Sequence, residues 1–324
     1  MSHSAMIFWF FPPASFSGPG SPTVRAASCR DSADDRGAKP FRQFFIRGIF
    51  VGVLLAAALP LRAEQSESMA DRALDQLVDR QKELLADAAK AGAKLDESNF
   101  QMQIEQVCRG YEELLRANPN FANGYAAYGY LLSKVDQRKQ SITMLLKANE
   151  LDPNIPLVKN QIGNYLAEEG KPREALPYYL AAIKLAPKEP LYHYQLGTLL
   201  YEARDDFLKS GEWKREAIDH AIHEAFQHAA ELAPDRIEFT YRYAESFYDL
   251  EVPDWDGALK AWTTLEEKAP TAIERETMRL HIANVLIKQG KADRAKALLE
   301  TVNESALQKQ KAKLVAMLVP AKDK

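Results

Sequence analysis

Three prolines, Pro119, Pro153 and Pro187, stand 34 residues apart, and three glycines, Gly129, Gly163 and Gly197, keep the same interval. Two residue types in one register mean a unit that repeats, and a repeat restricts the fold more than any single motif. A large residue precedes each glycine (Tyr128, Ile162, Leu196), and another follows it three positions later (Leu132, Leu166, Leu200). That spacing places all three on one stripe of a helix. Glycine inside a helix costs about 1 kcal/mol relative to alanine, so its recurrence predicts a second helix pressed against each of these points.

The second helix carries a stripe of its own, Ala175, Tyr179 and Ala182 in the middle unit, and proline then ends it. Each unit is therefore an antiparallel helix pair. No pair covers its own apolar face, so the pairs must stack. Composition agrees: the chain is 46 % hydrophobic and 27 % charged, and Ala, Leu and Tyr prevail over β-branched runs.

The middle unit, with Gly163, Leu166, Gly170, Ala175, Tyr179, Ala182 and Pro187 in register, resembles the tetratricopeptide repeat (TPR) family. The first position of that pattern, a tryptophan in the family, is Tyr125, Lys159 and His193 here. The resemblance runs from about Asn99 to Val302. It implies an all-α fold, a right-handed α-α superhelix of about five to six helix pairs with capping helices, and is nearly silent on ligand; the helical pieces leave no room for a catalytic domain, so a non-enzymatic scaffold that binds a protein or peptide is expected.

Later units depart from the period. Pro187 to Pro234 is 47 residues, with the surplus near 201–215, and Pro234 to Pro270 is 36. Both helices of the long unit are expected to be lengthened, with a joint at Ser210-Gly211 that projects beyond the stack and shows Phe207 and Trp213. These two aromatics pack on their own helices or form a second contact site. The domain plan is a leader over 1–40, a signal peptide over 41–63, a capping helix within 64–95, repeats over 96–302 and a second cap over 303–324.

The leader reading comes from FRQFFIRGIFVGVLLAAALPLRAEQ, where Arg42 and Arg47 precede the uncharged run Gly48 to Leu61. This has the three regions of a secretory signal, with cleavage expected after Ala63. Fourteen uncharged residues fall short of the roughly 20 that span a bilayer. Secretion, or residence in a periplasm, is thus expected, and membrane attachment only if the signal stays uncleaved. Residues 1–40, rich in Pro, Ser and Gly, suggest that the true start lies further along. The leader holds seven of the 42 Lys and Arg and three of the 45 Asp and Glu, so the remainder carries a net charge of −7. Such an acidic chain gives no reason to expect nucleic acid. Cys108, left alone once Cys29 is removed, reads as a small core residue.

The stretch DHAIHEAFQHAAELAP holds three of the six histidines. His223-Glu224 is followed by His228, five residues after the first histidine, whereas a zinc protease needs His-Glu-x-x-His. His220, Glu224 and His228 form a stripe expected on the outer surface. A metal-dependent enzyme built on that stripe is the rival to the scaffold reading, and a membrane-tethered assembly factor is another. Neither a metal, a cofactor nor a catalytic residue is assigned.

First helices line the concave side of stacked pairs, which brings Tyr130, Asn160, Asn164, Tyr194, Thr198, Tyr201, Tyr241, Glu245 and Tyr248 to a groove. Amides bond the backbone of an extended peptide, and tyrosines supply rigid area with a polar tip. Ala126 and Tyr130 stand where some family members carry a Lys and Asn clamp for acidic chain ends. Glu202, Glu245 and Asp249 favour a partner with basic character instead. Alanine at Tyr194 and Tyr241 is expected to leave the helices intact and abolish binding.

Overall fold

The structure is a computed structural model that describes residues 68–318. The expected leader and signal peptide, and the last residues of the carboxyl-terminal cap, lie outside the described residues. All regular structure among them is helical: α1 (Met69–Ala91), α2 (Glu97–Ala117), α3 (Ala122–Lys134), α4 (Arg138–Leu151), α5 (Pro156–Glu168), α6 (Pro172–Leu185) and α7 (Pro190–Glu202). Then come α8 (Arg204–Lys209), α9 (Arg215–Leu232), α10 (Ile237–Ser246), α11 (Trp255–Lys268), α12 (Ala272–Lys288), α13 (Ala292–Glu300) and α14 (Gln308–Met317). Consecutive helices pack in pairs, the all-α arrangement of a TPR solenoid. Two compact units divide the chain, the first ending at Gln161 and the second beginning at Ile162.

The repeated prolines act through the residue before them. Pro119, Pro153, Pro187, Pro234 and Pro270 each stand two positions beyond a helix end. A residue preceding proline is pushed out of the α region. Accordingly the cap residues Asn118, Asp152, Ala186, Ala233 and Ala269 have ψ of 72°, 103°, 74°, 70° and 119°. Within a pair the turn is closed differently. Gln137, Lys171 and Lys291 each donate their N–H to the carbonyl five residues back, at 2.9, 2.9 and 2.8 Å. The residue before each has positive φ: Asp136 at 60°, Gly170 at 72° and Gly290 at 73°. This is the Schellman end, where glycine is the residue of least strain.

The three periodic glycines occupy matching crossings. A methyl in place of the Gly129 hydrogen would stand 2.8 Å from Leu145 Cγ and 3.3 Å from the Leu145 backbone nitrogen. At Gly163 the neighbour is the Tyr179 ring at 3.2 Å, and at Gly197 the Phe226 ring at 2.8 Å. In every case a first helix touches the second helix of its own pair. Further along, Ala244 takes the glycine's place and is fully buried, as are Ala258 and Trp262 opposite.

In the first unit α1 lies antiparallel on α2, with Leu77 against Gly110 and the Tyr111 hydroxyl donating to Gln81 Oε1 at 2.8 Å. Tyr111 stacks on Tyr128 with centroids 5.2 Å apart. Cys108 is half-buried beside them, and burial pushes its thiol up to about 11, which keeps it protonated and unreactive. In the second unit the long repeat departs from expectation. α7 is not lengthened: it has 13 residues, as α5 does. The surplus is a separate short helix, α8, closed by Gly211 at φ 76°, while α9 grows to 18 residues. Instead of projecting, α8 folds back on α6 and α7, and Phe207 is only 1 % exposed, with Trp213 at its edge. At the carboxyl end α14 covers α12 and α13 and buries Leu314.

Alanine at these crossings should sort by the room available. Ala at 129 or 197 has a rigid obstacle and is expected to lose roughly 1–3 kcal/mol of stability by urea unfolding, despite its better helix propensity. At 163 the Tyr179 ring needs to yield only slightly, and the change should be near neutral. Asp136→Gly, relieving the one non-glycine residue at positive φ among the described residues, should gain about 1 kcal/mol or less. Equal losses at all three glycines would contradict the crossing geometry.

Candidate functional site

Of the nine residues expected to line a groove, Tyr130 and Asn160 belong to the first unit and the other seven to the second. Tyr130 is half-buried, with the Lys134 ammonium 5.0 Å from its ring centre. Asn160 is fully buried, and neither its Oδ1 nor its Nδ2 bonds within the protein.

In the second unit, depth separates residues that periodicity places alike. Tyr194 is 7 % exposed, its ring 5.7 Å from Phe226 and 4.6 Å from Phe239. Tyr241 is 8 % exposed, edge-on to Trp262 and within 3.3 Å of His281 Nε2 through its hydroxyl. Both are core residues, which corrects the expectation that their loss leaves the helices intact. Truncating an aromatic at such depth costs about 3–5 kcal/mol. Two polar members are turned inward: Asn164 Oδ1 accepts from the Tyr179 hydroxyl at 2.7 Å, and Thr198 donates to the Tyr194 carbonyl at 2.9 Å. Tyr248 is half-buried against Trp255, Trp262 and His281. That leaves Tyr201 as the exposed tyrosine of the set, at 38 %.

Two arginines that the periodic reading passed over organise this region. The Arg242 guanidinium lies 4.3 Å from the Tyr201 ring centre and 5.0 Å from that of Phe226, and donates to Glu245 at 2.7 Å. Arg204 approaches the same tyrosine at 5.1 Å and donates to Asp249 at 3.0 Å. It also meets Asp219 at 3.0 Å, and Asp219 accepts from Arg215. Burial pushes the Asp219 carboxyl up, against the pull of both arginines. Hence two of the three acids expected to favour a basic partner, Glu245 and Asp249, already have cationic partners. Glu202 is the third. Burial raises its pKa, the Arg242 charge lowers it, and it forms no ion pair among the described residues. Arg242 had a visible signal, since it precedes Glu245 by three positions. Arg204 had none, because its partners lie 15 and 45 residues away.

The histidine stripe His220, Glu224 and His228 is exposed. His223 turns the other way: its Nδ1 bonds the Ser246 hydroxyl at 2.8 Å and its ring packs on Tyr243 and Phe247. Among the described residues no group of three His, Cys, Asp or Glu side chains is placed to hold a metal ion. His281, which the periodic reading did not single out, stacks on Trp262 at 3.9 Å between the hydroxyls of Tyr241 and Tyr248.

Burial drops His281 from 6.5 to about 3 and also lowers His193 and His223. A histidine kept neutral in the fold stabilises it fully above its unfolded pKa, and that stability is lost as pH falls from 6.5 towards 3. Urea midpoints at pH 7.5, 6 and 5 should therefore decline, with His281 alone contributing up to about 1.4 kcal/mol per pH unit in that window. His281→Phe, which keeps the stack, should flatten the decline. An unchanged slope would mean that His281 titrates normally.

Residues 158–189 match the family model of the tetratricopeptide repeat. No curated protein matches the chain by sequence. Among solved structures, PilF of Pseudomonas aeruginosa is 15 % identical, with a TM-score of 0.53 over 77 % of this chain and 99 % of its own. YrrB, described as a TPR protein with an unusual peptide-binding site, is 17 % identical, with a TM-score of 0.49 over 64 % and 94 %. MamA of Desulfovibrio magneticus RS-1 is 18 % identical, with a TM-score of 0.42 over 61 % and 98 %. At such identities the likeness to PilF is one of fold. The matched repeat sits within helix pairs that share its glycine crossing and proline stop, so the chain carries a tetratricopeptide repeat over 158–189 within an all-α solenoid of that fold.

Proposed function

We propose that this chain is an exported scaffold, not an enzyme, that holds a protein or peptide partner along the first-helix face of its repeats. The observation that carries the reading is Tyr201: an exposed ring set beside two guanidiniums, each of them tied to a carboxylate. An aromatic held in this way loses little freedom on binding, which is what makes tyrosine an effective anchor. Glu202 beside it is the acid left to meet a basic side chain, and Tyr248, half-buried, belongs to the same set of first-helix residues. Tyr194 and Tyr241 serve the site from beneath.

Export rests on the pattern over 41–63, and the proposed mature chain begins at Glu64. No helix among the described residues is long and apolar enough to cross a membrane.

Crosslinking and recovery from an envelope fraction test the binding face. Tyr201→Ala with Glu202→Gln should keep the helical circular dichroism and reduce partner recovery at least tenfold, in line with loss of a hot-spot aromatic. Undiminished recovery would remove the face from consideration. Amino-terminal sequencing of the exported protein should read Glu64, and any start upstream of Ala63 would contradict cleavage there.

A further inference from the structure

The first unit contains an open cleft of ≈ 390 Å³ that the proposed binding face does not use. α2 and α4 each lie against α3, and the space opens between them. Its floor is apolar: Leu115, Leu132 and Tyr128 are buried, and the half-buried Tyr125 and Met144 form its walls. Sites for small molecules run from about 300 to 1,000 Å³, so the space is large enough for one compact molecule.

The rim carries charge in an unusual state. Glu112 and Arg116 stand four apart on α2, acid first, the order in which such pairs join most readily on a helix. They do not join. Burial raises the Tyr128 hydroxyl pKa and keeps the group protonated, and it donates to Glu112 Oε1 at 3.1 Å. The glutamate is thus drawn to the floor of the cleft. Arg116, exposed on the rim, makes no ion pair or hydrogen bond among the described residues. A guanidinium with its donor fork open, beside an apolar pocket, is complementary to a carboxylate or sulfonate on a greasy body.

We propose that this cleft is a second ligand site, for a small molecule with an aromatic or branched apolar body and a single anionic group. The body rests on Leu115, Leu132, Tyr125 and Met144, and the anion meets Arg116. Glu112, one turn away, disfavours a doubly charged head group. This site stands independently of the partner-binding face, which uses other residues.

Two fluorescent probes with nearly the same rings separate the contributions in the full-length mature chain. Anilinonaphthalene sulfonate is anionic and phenylnaphthylamine is neutral. The anionic probe should bind at one site per chain and about tenfold more tightly than the neutral one, the scale of one charge-assisted hydrogen bond. Arg116→Gln should erase that difference, and Glu112→Gln should widen it. Met144→Arg, which fills the cleft, should abolish both signals. Equal affinity for the two probes, or an anionic-probe affinity unmoved by Arg116→Gln, would overturn the proposal. So would signals that survive Met144→Arg. Should that variant lose its helical circular dichroism, the two exposed rim substitutions still decide the outcome.

Discussion

Everything in this fold depends on how closely two helices of one pair can approach. Where Gly129 meets Leu145 and Gly197 meets Phe226, the space for a single methyl group is already taken. Dispersion and burial across a seam this tight offset the poor helix propensity of glycine. The same requirement explains why Ala244 suffices in a later pair: it is the next smallest side chain, and it is fully buried there. A stacked repeat has no central core to fall back on, since each pair contacts only its neighbours. The crossing therefore has to be rebuilt in every unit, which is why it surfaces in the sequence as a period.

Punctuation follows the same economy of local rules. Proline sets the end of each second helix by constraining the residue before it, and a positive-φ residue sets the end of several first helices. Neither device needs a distant contact. The long unit does. There α8 is held by Arg204, which reaches Asp219 on α9 and Asp249 beyond α10. Removing one partner of a buried ion pair is strongly destabilising, by about 3–5 kcal/mol, because it leaves the other charge buried and uncompensated. The thirteen additional residues thus enter the repeat as an ordered turn that has Arg204 in this ion-pair cluster and Phe207 buried beneath it.

Legibility in the sequence follows that division between local and distant. The helix pairs and their proline stops are readable because each depends on neighbours three or four residues away. The form of the long unit is not, since apolar spacing continues through Phe207 and a short separate helix has the same signature as a longer one. The face was legible only as direction. Periodicity states which way Tyr194 and Tyr201 point from α7. It cannot state that Phe239, 45 residues later, lies against Tyr194 while Tyr201 stays open. The charges of the face behaved likewise: Glu245 and Asp249 looked free in sequence, and their arginines came from another turn and another helix.

That pairing changes what an acidic face can select. A row of unpaired carboxylates would attract any cation at long range, and screening at physiological salt would weaken it over about 8 Å. With Glu245 and Asp249 each bound to an arginine, the long-range attraction is largely cancelled. If the proposed face is the binding site, recognition there would come from contact: the edge and hydroxyl of Tyr201, the carboxylate of Glu202 and the shape between them. Such a surface discriminates by fit and by desolvation more than by net charge. The arginines also make the tyrosine and the acids one mechanical unit. A change at Arg242 would release Glu245 and loosen Tyr201 together, so the energetic effects of the three should not add.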